Sequence, residues 1–124
     1  TNDLTQYAMA ADRLQGELAE LLTPWQPAVI QLVKATCDGA GERLIGVCGE
    51  AAGDPLLALV LVGVGIRSLS MAAGKITAVK AALSRHNLEQ CRRIADAALA
   101  ACSPEEARTA ALKLADPSVE VLVS

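Results

Sequence analysis

Phenylalanine is absent from this sequence, and its aromatic side chains amount to Trp25 and Tyr7. A core must therefore be assembled from Leu, Val, Ile and Ala, and a surface that stacks nucleic-acid bases on aromatic rings is excluded. An excess of positive charge is also missing. Eleven Lys and Arg stand against 14 Asp and Glu, giving a formal net charge of −3 over 124 residues; this argues against a polyanion-binding module and fits one domain. No stretch is long enough to span a bilayer: the longest apolar run, Leu56 to Ile66, contains Gly63 and Gly65 and falls well short of the roughly 20 residues required. It is expected to be a buried helix. Thr1-Asn2-Asp3 lacks the basic and apolar regions of a signal peptide, so a cytoplasmic setting without membrane insertion is expected. Cys37, Cys48, Cys91 and Cys102 form no Cys-x-x-Cys pair and have no His at metal-ligand spacing, which speaks against zinc and for free thiols.

What is present is a well-punctuated α/β pattern. With 52% hydrophobic and 20% charged residues the chain is too apolar for disorder. Pro27 to Ala40 carries Val29, Ile30, Leu32, Val33 and Cys37 at helical spacing, opened by proline and closed by glycine. Leu44 to Cys48 follows as a short apolar run that reads as a strand buried on both faces. Asp54-Pro55 is a helix start, because Asp caps free amides while Pro fits the first turn; the helix should reach about Val64. Ile66 to Met71 reads as a second strand, Ile76 to Ser84 as a helix, and Asn87 as the cap of another over Leu88 to Ala101. Ser103-Pro104-Glu105-Glu106 is a capping box for a last helix to about Ala115, leaving Val119 to Val123 unassigned. This order predicts parallel βαβ units, with Leu44 to Cys48 and about Ser68 to Met71 adjacent. Thr1 to Gln6 reads as a loop leaving a strand that is not present, so the whole chain, 1–124, is expected to be part of a larger α/β domain.

If that domain is an α/β barrel, Thr1-Asn2-Asp3, Cys48-Gly49-Glu50 and Ser70-Met71 share the rim where strands end and catalytic groups gather. Asp3 suits Mg²⁺, which takes one or two carboxylates plus substrate phosphate oxygens; Asn2 offers a neutral donor and Arg13 a fork for phosphate. Cys48, between Gly46 and Gly49, could give or take a proton, or could simply be a core side chain. Glu50 either tunes that thiol or is held by loop amides. Asp54 reads as a helix cap, Arg92 and Arg93 as a solvated face, and His86, at a helix end, as a residue without a catalytic role.

Thr1-Asn2-Asp3-Leu4-Thr5-Gln6-Tyr7, Ala11-Asp12-Arg13, Gly46-Val47-Cys48-Gly49-Glu50-Ala51-Ala52-Gly53-Asp54-Pro55 and Leu69-Ser70-Met71, in this order and spacing, closely resemble the phosphoenolpyruvate-binding C-terminal domain of enzyme I of the sugar phosphotransferase system. The likeness runs from Thr1 to about Ala101. It implies the last part of a (β/α)₈ TIM barrel, from the exit of the sixth strand through the seventh and eighth. It also implies a phosphotransferase that moves phosphoryl from phosphoenolpyruvate to a histidine on another domain and thence to the phosphocarrier protein HPr, releasing pyruvate. By position, the resemblance makes Asp3 a Mg²⁺ ligand and substrate contact, Asn2 and Arg13 phosphate contacts, and Cys48 the acid that protonates the enolate of pyruvate.

The sequence departs from the family pattern at Arg67, Ala72, Thr77 and Leu14-Gln15; the last pair bears on how the Arg13 loop closes. The family's other phosphate-binding arginines and its second metal carboxylate lie upstream, so these 124 residues alone are not expected to turn over. The alternatives are a piece of the related pyruvate phosphate dikinase or phosphoenolpyruvate synthase, or a non-catalytic half-barrel that self-associates. A homodimer is implied by the family's dimeric C-terminal domain.

Overall fold

Asp54 organises the centre of the molecule. The computed structural model describes residues 1–124, and in it the Asp54 carboxylate accepts hydrogen bonds from the backbone N–H groups of Leu56 (3.0 Å) and Leu57 (3.2 Å). These close the first turn of the helix Pro55–Val64, the element the Asp-Pro signal predicts. Leu56, Leu57, Ala58, Leu59, Val60 and Leu61 are all buried, so this helix is apolar all round because it is covered all round. At about 1.5–3 kcal/mol for each buried Leu, it contributes the largest share of the core.

The element order is α1 (Asn2–Met9), a 3-10 segment (Gly16–Leu22), α2 (Pro27–Gly39), β1 (Gly46–Cys48), α3 (Glu50–Gly53), α4 (Pro55–Val64), β2 (Ser68–Ser70), a 3-10 turn (Ala73–Lys75), α5 (Ile76–Ser84), α6 (Leu88–Leu99), α7 (Pro104–Leu114) and α8 (Ser118–Val123). β1 and β2 form a two-stranded parallel sheet in which Gly46, Val47 and Cys48 face Ser68, Leu69 and Ser70. The chain passes from one strand to the other through α3 and α4, so the predicted parallel neighbours and helical crossover are present and the class is α/β. α4 packs most extensively on α6, and also on α5, α2, α7 and α8.

Three expectations need correction. Thr1 to Gln6 is not a loop: Thr1 is the N-cap of α1, Asp3 adds a carboxylate to its first turn, and Thr5, buried, returns its hydroxyl to the Thr1 carbonyl at 2.8 Å. Leu44 to Cys48 is not buried on both faces. Only Val47 is buried, between exposed Gly46 and Cys48, and Leu44 is 81% exposed, because helices cover one face of the two-stranded sheet. The second strand is confined to Ser68–Ser70, since Ile66 still bonds back to the Leu61 carbonyl at 3.0 Å as part of the α4 terminus. Val119 to Val123 lies in α8, with Val119 fully buried.

The remaining caps follow the sequence signals. Asn87 and Gln90 form a reciprocal capping box at α6, and Ser103 caps α7 through the Glu106 N–H at 3.2 Å, while the Glu106 carboxylate takes the Cys102 N–H at 3.0 Å. His86 is a structural staple. Its Nε2 accepts from the Asp116 N–H at 3.0 Å, so Nδ1 carries the proton and donates to the Ala82 carbonyl at 2.7 Å, tying the end of α5 to the turn between α7 and α8.

Asp116 in that turn accepts from the Ser118 hydroxyl (2.5 Å) and N–H (2.9 Å), and these bonds, the hydroxyl first, hold its carboxyl below the usual value. A folded-state pKa below the unfolded one contributes stability that is complete above the unfolded value of about 3.9 and is lost as pH falls through the folded value. Asp116→Asn should therefore flatten the acid limb of the stability profile below about pH 4. Urea midpoints measured from pH 2 to pH 6 check this; an unchanged acid limb would show that the turn does not draw on the carboxylate.

Candidate active site

The carboxyl ends of the two strands are zipped together by the Gly49 N–H, which donates to the Ser70 carbonyl at 3.1 Å. Cys48 is the last residue of β1, and its side chain is exposed instead of entering the helix-covered core. The chain leaves the strand through Gly49 at φ 101°, a backbone conformation that a residue with a β-carbon rarely adopts. A β-carbon placed on Gly49 would lie 4.0 Å from Asn2 Oδ1, so the amide of Asn2 on α1 borders the space beside the strand exit.

Asp3 and Arg13 come from opposite ends of a turn that closes at Ala10, which adopts the left-handed conformation at φ 52°. Arg13 Nη2 donates to Asp3 Oδ1 at 2.6 Å, and the Gln6 side chain bridges the pair, donating to Asp3 at 3.3 Å and accepting the Arg13 N–H at 3.2 Å. The Asp3 side chain is 83% exposed and that of Arg13 49%. A pair this exposed is worth at most about 1 kcal/mol, so it opens readily to an anion at the guanidinium and a cation at the carboxylate. Asp3, Arg13 and Asn2 thus share α1 and the turn that follows it, and Asn2 joins them to the Cys48 exit.

The fit of Mg²⁺ to these residues is partial. No group of three or more His, Cys, Asp or Glu side chains is poised to hold a metal. Mg²⁺ uses one or two carboxylates and takes its other oxygens from water and substrate, so the exposed Asp3 carboxylate is an adequate partial donor set once Arg13 has turned away.

The other thiols differ from Cys48. Burial pushes the Cys91 thiol above its ordinary value, and burial followed by the nearby Asp38 carboxylate does the same to Cys37. Cys91 is buried in the core and Cys37 half-buried against it, whereas Cys48 and Cys102 are exposed. Arg92 and Arg93 lie on the exposed face of α6, Arg93 at 3.8 Å from Glu89, as a solvated helix face requires.

Beside the rim opens a cleft of about 830 Å³ walled by Trp25, Glu50, Asp54, Met71, Lys75 and Arg108. Sequence reasoning passed over Trp25 as a binding element. Its indole N–H donates to Asp54 Oδ2 at 3.0 Å, on the carboxylate that caps α4. The signal available was the solitary tryptophan of an aromatic-poor chain, two residues before the proline that opens α2.

The family described as PEP-utilising enzyme, PEP-binding domain matches residues 1–88, and the chain belongs to it. It is 54% identical over 113 residues to the phosphoenolpyruvate-protein phosphotransferase of Streptomyces coelicolor, covering 90% of this chain and 20% of that protein. Proteins of the same name from Cupriavidus necator (40% over 119 residues, 94% of this chain and 20% of that protein) and Haloferax volcanii (44% over 108 residues, 86% and 19%) are similar too. The chain therefore spans about a fifth of the length of these curated relatives. No helix is long and apolar enough to cross a membrane.

Proposed function

We propose that this chain is the C-terminal part of the catalytic barrel of a phosphoenolpyruvate-protein phosphotransferase. The observation that carries the reading is the exposed Cys48 thiol at a strand exit bordered by Asn2, on the helix that also bears Asp3. Family membership and the names of the relatives support it against the dikinase and synthase alternatives. In the complete (β/α)₈ barrel, β1 and β2 are the seventh and eighth strands, and the face left bare around Gly46 and Cys48 turns inward toward the other strands.

Phosphoenolpyruvate binds over the strand exits. Arg13 leaves Asp3 to pair with the phosphate, and Asn2 donates to a phosphate oxygen. Asp3 would hold Mg²⁺, which would supply positive charge to offset that on the phosphoryl group during its transfer to a histidine of another domain. Loss of the phosphoryl leaves the enolate of pyruvate. The Cys48 S–H bond breaks as a C–H bond forms at the terminal carbon of the enolate, giving pyruvate, and the thiolate regains its proton from water. The phosphohistidine passes its phosphoryl to HPr, and the protein works in the cytoplasm as a homodimer.

Incubation of the full-length protein with radiolabelled phosphoenolpyruvate and Mg²⁺ should label a histidine and release one pyruvate per phosphoryl. Absence of an acid-labile phosphoryl group on the protein would refute the reading.

Exposed Tyr7 (86%), Leu14 (86%) and Leu44 (81%), together with the open strand edges, favour a second behaviour for these residues in isolation. The separate 124-residue chain should self-associate and bind phosphoenolpyruvate with Mg²⁺ weakly or not at all. Light scattering and calorimetric titration check both points; a monomer at high concentration, or micromolar binding, would contradict the placement within a larger barrel.

A further inference from the structure

We infer that Trp25 is a positioning residue for the Cys48 thiol, acting through its hydrogen bond to Asp54; the inference rests on the proton-donor role proposed above. Capping alone does not account for Asp54. Oδ1 already accepts from the Leu56 and Leu57 N–H groups, which is what a helix N-terminus requires, and Oδ2 is committed to the indole N–H at 3.0 Å. A buried tryptophan needs a partner for its N–H, and a carboxylate is the strongest acceptor available to it.

The segment between Cys48 and Asp54 explains what this bond does. At its start the Gly49 N–H is tied to Ser70, and in its middle Ala51 and Ala52 are buried to 2% and 0% exposure. Its far end is Asp54. The direction in which the chain leaves Cys48 is thus fixed at both ends, the second time by a side chain from another part of the fold.

Trp25 is a stiff anchor for this purpose. It is 5% exposed, its backbone N–H donates to Thr23 Oγ1 at 3.3 Å, and the next residue, Gln26, donates from its side chain to the Leu21 carbonyl at 3.4 Å before Pro27 opens α2. Along the chain Trp25 lies beyond Arg13, after the 3-10 segment Gly16–Leu22 and just before α2. The indole therefore ties the segment that opens α2 to the end of the turn that follows Cys48, and both members of the bond wall the cleft beside that turn.

Two variants of the full-length protein separate this role from packing. Trp25→Phe keeps an aromatic ring and removes the N–H; Asp54→Asn keeps an oxygen for the cap and turns an amide donor toward the indole. Each should lower kcat for pyruvate formation by about tenfold while leaving KM for phosphoenolpyruvate within about twofold, because a displaced acid affects the protonation step and not the phosphate contacts. In a Cys48→Ala background, Trp25→Phe should add no further loss. A folded Trp25→Phe or Asp54→Asn protein with parental kcat overturns the inference, and so does a tenfold loss that persists without Cys48. Should Trp25→Phe fail to fold, Asp54→Asn gives the same comparison. Parental turnover by Cys48→Ala alone would overturn the proton-donor role itself, a result distinguishable from failure of the Trp25 link.

Discussion

Replacing Cys48 by alanine in the full-length protein should leave phosphoenolpyruvate binding near its parental strength and slow pyruvate formation by a factor of about a hundred or more. The asymmetry follows from where the thiol sits. Cys48 ends β1 with its side chain exposed at the strand exit, while the groups suited to phosphate, Asn2 and Arg13, and the carboxylate suited to Mg²⁺, Asp3, belong to α1 and its following turn. Deleting the sulfur removes the acid without touching those contacts. Serine should restore little, because a hydroxyl is a far weaker acid than a thiol. Titration calorimetry for binding and a coupled assay for pyruvate decide the matter; equal pyruvate release by variant and parent would eliminate the role, and a parallel loss of binding would reassign Cys48 to holding the rim together.

Those parts of the fold that depend on neighbouring residues were legible in the sequence. Asp54-Pro55, Asn87 with Gln90, and Ser103-Pro104 each satisfy free amides within a few positions, and each opens a helix where expected. The parallel pairing of β1 and β2 was legible for a different reason: a strand, a helix and a strand joined by short connections leave few alternatives. What failed was burial. The composition of Leu44 to Cys48 reports that this strand belongs inside something, and the 124 residues described supply helices for one face only. Thr1 to Gln6 was misassigned because its polar residues look like loop chemistry, although Thr1 and Asp3 are equally the residues a helix N-terminus prefers.

The candidate site divides in the same way. Cys48, Asn2, Asp3 and Arg13 were singled out as groups that would gather at the strand-exit rim of an α/β barrel and were given their roles by the resemblance, and the folded chain does set the Asn2 amide beside the Gly49 exit. Trp25 and Asp54 lie 29 residues apart, so no local pattern connects them. The solitary tryptophan was a hint of importance without an address.

Gly63 is the position at which local and tertiary reasoning disagree most sharply. It lies inside α4, where glycine costs about 1 kcal/mol relative to alanine, so helix propensity alone predicts that Gly63→Ala stabilises the protein. The crossing with α6 reverses the sign. A β-carbon at Gly63 would stand 2.2 Å from the Cys91 carbonyl oxygen, 2.6 Å from its carbon and 2.7 Å from the Ala95 β-carbon. The first two are backbone atoms within α6, which cannot move aside without shifting the helix, and α4 against α6 is the most extensive packing in the molecule. Overpacking a core costs about 1–3 kcal/mol and occasionally more, and a clash against backbone belongs at the upper end of that range. The net expectation for Gly63→Ala is a loss of about 2 kcal/mol, which lowers Tm by roughly 6–10 °C in a domain of this size. Gly16→Ala is the matched control: a β-carbon there meets nothing within 4 Å, and removing backbone freedom from the unfolded chain should leave Tm unchanged or slightly raised. Differential scanning calorimetry on both variants separates the two effects. A Gly63→Ala protein that melts at or above the parental temperature would show that α4 and α6 do not approach as closely as this crossing requires.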